Sequence, residues 1–117
     1  RGVKIGNFCH ISPYVLIDLV YPQLVKIEDN VTIGNNSMVF AHVNPTASPK
    51  LKKIYPRKVA PVTIKKGSVI FPGCIITAGV TIGEYSMIGA GSVVGENIPD
   101  YCVALGNPAR VVKKIDH

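Results

Sequence analysis

Cysteine and acidic residues are scarce in this chain. Its 117 residues include three cysteines, Cys9, Cys74 and Cys102. An odd count at wide spacing supplies neither a disulfide framework nor a zinc-ligand signature, and it fits a reducing, cytoplasmic setting. No apolar run reaches membrane-spanning length and no secretory signal opens the chain, so no membrane insertion is expected. There is no Gly-x-Ser-x-Gly elbow, which argues against a serine nucleophile. No segment combines helical periodicity with caps. Only 7 acidic residues stand against 13 basic ones, for a formal charge of +6. That balance suits an anionic partner, such as a phosphate-bearing cofactor. Six of the basic residues, Lys50, Lys52, Lys53, Arg57, Lys58 and Arg110, lie in one irregular segment or beside the last Gly-Asn-Pro. No recognition helix or RNA-binding aromatic motif accompanies them, so nucleic acid is not the expected partner.

What is abundant is branched aliphatic residue at a fixed interval. Hydrophobic residues make up 47% of the chain, enough for one domain with a modest core that oligomerisation could support. The chain opens on Arg1 rather than methionine, which leaves room for a preceding segment; residues 1–117 are expected to form a single domain. Ile5, Ile11 and Ile17 form one run of sixes, Ile27, Ile33 and Val39 a second, and Ile64, Ile70, Ile76, Ile82, Ile88 and Val94 a third. Four places after most of them stands a small or branched residue, such as Cys9, Ser37, Ser68, Cys74, Ser86 or Ser92. A period of six matches neither a helix nor an alternating strand. It predicts a solenoid of very short strands, with the aliphatic residues inside and glycine or polar residues turning the corners. The cysteines then read as packing residues.

The period slips twice. Ile17 and Ile27 are separated by DLVYPQLVK, and Val39 and Ile64 by a stretch containing Pro45, Pro49, Pro56 and Pro61. Prolines cannot continue a ladder, so the second interruption predicts a loop extruded from one corner, about residues 43–61. Long loops in compact domains are usually functional. His42 stands at its root. His10 falls at an outward position and His117 is terminal.

The aliphatic-Gly-x-x-small-x hexads, FAHVNPTASP after VTIGNNSMV, and the ending VALGNPARVVKKID resemble the hexapeptide-repeat acyltransferases. Within that family they are similar to galactoside and maltose O-acetyltransferases and to polysaccharide-biosynthesis acetyltransferases. The resemblance implies a mainly β chain folded as a left-handed parallel β-helix, three hexads closing one coil. It implies a homotrimer with active sites between subunits and acetyl-CoA as co-substrate, with no metal in the chemistry. The implied reaction is acetyl transfer to a hydroxyl of a sugar or polysaccharide precursor. His42 matches the family's general base. Asn44 would orient it or bind the acceptor, and Asp18, in LIDLVYP, would bind acceptor hydroxyls. Ala90 matches an alanine whose backbone meets the pantetheine arm, with Ala78, one coil earlier, in the same groove. Arg110 and Lys113 match basic residues near the cofactor's phosphates. Gly95 and Glu96 depart from the Thr-Lys that the family often carries there. Two alternatives stand beside this reading: N-acetylation of an amino sugar by the same base, and a non-catalytic β-helix scaffold. A three-histidine zinc hydratase on the same fold would need ligands that His10 and His42 alone do not supply.

Overall fold

The computed structural model describes residues 2–44 and 46–117. Arg1 and Pro45, the latter one of the four prolines of the long interruption, lie outside the described residues. The chain winds into three parallel sheets with the three-fold stacking of a left-handed β-helix. The first sheet stacks Lys4–Ile5, Val25–Ile27, Val62–Ile64 and Thr81–Ile82; the second His10–Ile11, Thr32–Ile33, Val69–Ile70, Met87–Ile88 and Cys102–Gly106; the third Leu16–Ile17, Met38–Val39, Ile75–Ile76 and Val93–Val94. Register pairs like with like. Ile5, Ile27, Ile64 and Ile82 form one column, Ile11, Ile33, Ile70 and Ile88 a second, and Ile17, Val39, Ile76 and Val94 a third. From the second coil onward these side chains are fully buried. Burying each one contributes about 1.5–3 kcal/mol relative to exposure, so the repeat is itself the core.

The corners refine the expectation about glycine. The left-handed backbone falls three residues after nine of the twelve aliphatic positions, at Phe8, Tyr14, Asn30, Asn36 and Tyr85 as well as at Gly67, Gly73, Gly79 and Gly91. The glycine directly after the aliphatic residue answers a different need. A Cβ on Gly34 would lie 2.5 Å from the Pro72 nitrogen, and one on Gly83 would lie 2.4 Å from the Asp100 nitrogen. These glycines let successive coils approach closely.

Both interruptions leave the columns intact. The short one becomes a tight turn and a 3-10 helix, Pro22–Leu24. The long one leaves the coil after Ala41 and returns at Ala60, whose N–H donates to the Ala41 carbonyl at 3.0 Å. It starts one residue earlier than expected and is not structureless. His42–Val43 pairs antiparallel with Lys58–Val59, and Ser48 caps a short helix, Pro49–Ile54, accepting from the Leu51 N–H. The result is an arm anchored by a two-stranded stem. At the other end, Ala109–Lys114 folds back antiparallel on Cys102–Gly106.

Candidate active site

Ile17, Val39 and Ile76 are register partners in the third sheet. The residues that follow them therefore meet at one corner on three consecutive coils: Asp18 on the first, Ala41 and His42 on the second, Thr77 and Ala78 on the third. The Asp18 N–H donates to the Val39 carbonyl at 2.8 Å, which fixes the direction of its side chain.

Asp18 is 1% exposed. Its Oδ1 accepts from the N–H groups of Val20 and Tyr21, both at 2.8 Å. Its Oδ2 accepts from the Ala41 N–H at 2.7 Å and from His42 Nδ1 at 2.5 Å. Burial pushes this carboxyl up, but hydrogen bonds from Tyr21, His42, Ala41 and Val20 together outweigh it and hold the pKa at about 2. Both oxygens are occupied from within the chain, and the group is shielded from the surface.

An ionised carboxylate only accepts hydrogen bonds. The ring proton of neutral His42 is therefore assigned to Nδ1, which leaves the lone pair on Nε2. The His42 side chain is 9% exposed. The Tyr21 ring packs against it at 5.4 Å between centroids. Buried on one edge and oriented by an anion, this imidazole is built to take a proton at Nε2 and to be stabilised once it has done so.

His42 lines a cleft of about 420 Å³, together with Asn44, Thr77 and Ala78 and an apolar set, Leu16, Leu19, Val20, Phe40 and Val43. Two other hollows, about 610 Å³ beside Lys4 and Lys26 and about 790 Å³ under the arm, contain no histidine. Of the expected residues, the cleft gathers His42, Asn44 and Ala78, with Asp18 behind them. Ala90, Arg110 and Lys113 do not line it. Ala90 sits on the corner after the second sheet and Ala78 on the corner after the third, because twelve residues are two thirds of a coil, not a whole one. The single shared groove expected for them is not formed within one chain. Arg110 and Lys113 lie on the returning C-terminal strand, and Arg110 Nη1 is 3.5 Å from Glu96 Oε1.

Leu19 lines the same cleft and the Tyr21 ring packs on His42; their sequence signal is their position one and three residues after Asp18. The buried serines are tied to backbone. Ser37 Oγ donates to the Phe71 carbonyl at 3.1 Å, and Ser86 Oγ to the Pro99 carbonyl at 2.5 Å. All three cysteines are free thiols. Burial pushes the Cys74 thiol up, away from the thiolate that a nucleophile requires.

The model of the bacterial transferase hexapeptide family, six repeats long, matches residues 61–96. The hexapeptide-repeat acetyltransferase of Vibrio cholerae, solved with acetyl coenzyme A, superposes at a TM-score of 0.86 and 25% identity, covering 100% of this chain and 62% of that one. Residues 61–96 thus carry the repeat of the bacterial hexapeptide transferases, and the whole chain shares the fold of a hexapeptide-repeat acetyltransferase. A maltose O-acetyltransferase from Clostridium difficile superposes at a TM-score of 0.76 and 29% identity, over 97% of this chain and 70% of that one. A dTDP-3-amino-3,6-dideoxy-alpha-D-galactopyranose 3-N-acetyltransferase of Aneurinibacillus thermoaerophilus is 52% identical over 56 residues, 48% of this chain and 29% of that protein. This hexapeptide-repeat chain thus spans less than half the length of the curated relatives it matches.

Proposed function

We propose that the chain transfers an acetyl group from acetyl-CoA to a hydroxyl of a sugar or polysaccharide precursor, with His42 as general base. The observation that carries this reading is the buried Asp18–His42 pair, whose histidine lines the cleft at the root of the arm. As the acceptor oxygen attacks the thioester carbonyl carbon, Nε2 takes the hydroxyl proton. The carbon–sulfur bond then breaks, and the imidazolium returns the proton to the departing thiolate, giving CoA as the free thiol. Asp18 keeps the ring in the Nδ1–H tautomer and stabilises the imidazolium. General-base catalysis of this kind supplies about 10² to 10⁴ in rate, and holding two substrates together supplies much of the rest.

Asn44 is the polar group beside His42 that can bind the acceptor. Arg110 and Lys113 offer exposed cations to the phosphates of coenzyme A, and Ala78 and Ala90 offer backbone beside the pantetheine arm. Because these residues occupy different corners, a complete site needs two copies. A homotrimer with sites between subunits satisfies that need.

N-acetylation of an amino sugar is the second reading, supported by the 52% identity to an amino-sugar N-acetyltransferase. The same base serves either acceptor. Calorimetric titration with acetyl-CoA, beside Arg110→Ala, tests the common ground without guessing an acceptor. Saturable binding weakened by the substitution supports the transferase, and matched hydroxyl and amine acceptors then separate the two readings. No binding at millimolar ligand points to a scaffold.

A further inference from the structure

We infer that Tyr21 and Arg57 are positioning residues that hold the His42 ring in its working orientation and tie it to the arm. The bond to Asp18 pins one ring atom, Nδ1. It does not stop the imidazole from rocking about the line between Nδ1 and Oδ2. Tyr21 supplies the second constraint. Its ring lies 5.4 Å from that of His42 at an interplanar angle of 64°, the edge-to-face arrangement that aromatic rings prefer. Tyr21 is itself held. Its N–H donates to Asp18 Oδ1 at 2.8 Å, its carbonyl accepts from the Leu24 N–H at 3.0 Å, and its side chain packs on the core. One carboxylate thus places both rings.

Arg57 supplies the third constraint, from the arm. Its guanidinium carbon lies 5.2 Å from the Tyr21 ring centroid, within cation–π range. Arg57 directly precedes Lys58–Val59, the strand paired with His42–Val43, and Val59 is the register partner of His42. The contacts close a circuit. They run from the His42 backbone to Val59, along the strand to Arg57, onto Tyr21, and back to the His42 ring. The ion pairs among the described residues involve Lys26, His42 and Arg110, so the tyrosine ring is the contact the structure gives the Arg57 guanidinium. Displacing the arm uncovers Tyr21, and removing Tyr21 frees the imidazole. The catalytic consequence rests on the proposed role of His42; the orientation itself does not.

The test follows the His42 ring by NMR in protein carrying ¹⁵N-histidine, with His42→Gln assigning its signals. Wild type, Tyr21→Phe and Arg57→Lys are expected to give one sharp set of Nδ1-protonated ring signals. Tyr21→Leu and Arg57→Gln are expected to shift and broaden them. The same two variants should lower kcat by about 10- to 100-fold, as a misplaced catalytic group does. Acetyl-CoA affinity should stay within about twofold, the mark of a lost transition-state interaction. Arg57 is exposed on the arm, outside the coil core, so Arg57→Gln keeps the test decisive if Tyr21→Leu does not fold. Unchanged His42 signals in Arg57→Gln overturn the inference. Altered ring signals in a protein that transfers no acetyl group in any form uphold the positioning and remove the functional reading instead.

Discussion

Asp18 and His42 are 24 residues apart in sequence, and their side chains meet at 2.5 Å. The carboxylate spends all its hydrogen-bonding capacity inside the chain, on three backbone N–H groups and one imidazole. Any part it plays in the proposed transfer therefore passes through His42. The arrangement joins a stability element to a chemical one, and the two can be separated by experiment.

Replacing His42 with alanine should lower acetyl transfer by about 10² to 10⁴, the range for a lost general base. Acetyl-CoA affinity should change little, because none of the cofactor's proposed contacts is made by the His42 side chain. A thiol-release assay beside calorimetry checks both. A variant with more than half the wild-type rate would remove His42 from the mechanism.

The Asp18 carboxyl has a lower pKa folded than unfolded, from an ordinary 3.8 to about 2. Its contribution is fully present above pH 4 and is lost as pH falls toward 2. That window should cost about 2 kcal/mol of stability. Denaturant unfolding at pH 5 and pH 2 measures it. Asp18→Asn should be less stable at pH 5 and should show a smaller loss between the two values. Equal pH dependence in both proteins would contradict the assignment.

Ser37→Ala should leave the transfer rate unchanged, because no acyl-enzyme forms on it. It should still cost about 1–3 kcal/mol. Ser37 Oγ accepts from the buried Cys74 N–H at 3.2 Å, and alanine leaves that donor unpaired. Urea unfolding and an activity assay read the two effects independently.

Glu96 stands 3.5 Å from Arg110, where the family often carries a lysine. If Arg110 meets a coenzyme A phosphate, Glu96 competes with that phosphate for it. Arg110→Ala should weaken acetyl-CoA binding by about tenfold, in line with the loss of a charge-assisted contact. Glu96→Gln should tighten binding by about two- to threefold, since both groups are exposed and screened. Calorimetry at two salt concentrations checks the pair, and weaker binding by Glu96→Gln would count against competition.

The six-residue period was legible in the sequence because it is local. Each hexad places one aliphatic residue inward, and identical neighbours stack without any other information. The interruptions were legible for the same reason, as departures from a count, and His42 stood out as a histidine at the root of one. What those departures bring together was not legible. Asp18 reaches His42 because the first interruption is absorbed in a turn that keeps Ile17 opposite Val39. A different absorption would have set the carboxylate at another corner. The same arithmetic separated Ala78 from Ala90. Tyr21 and Arg57 meet only because the arm folds back on its own stem, a tertiary event with no periodic signature. Composition and spacing thus determined the cylinder and its core, since burial of a repeated side chain repeats with it. The site depended on register across coils and on the return of the arm, which only the folded chain decides.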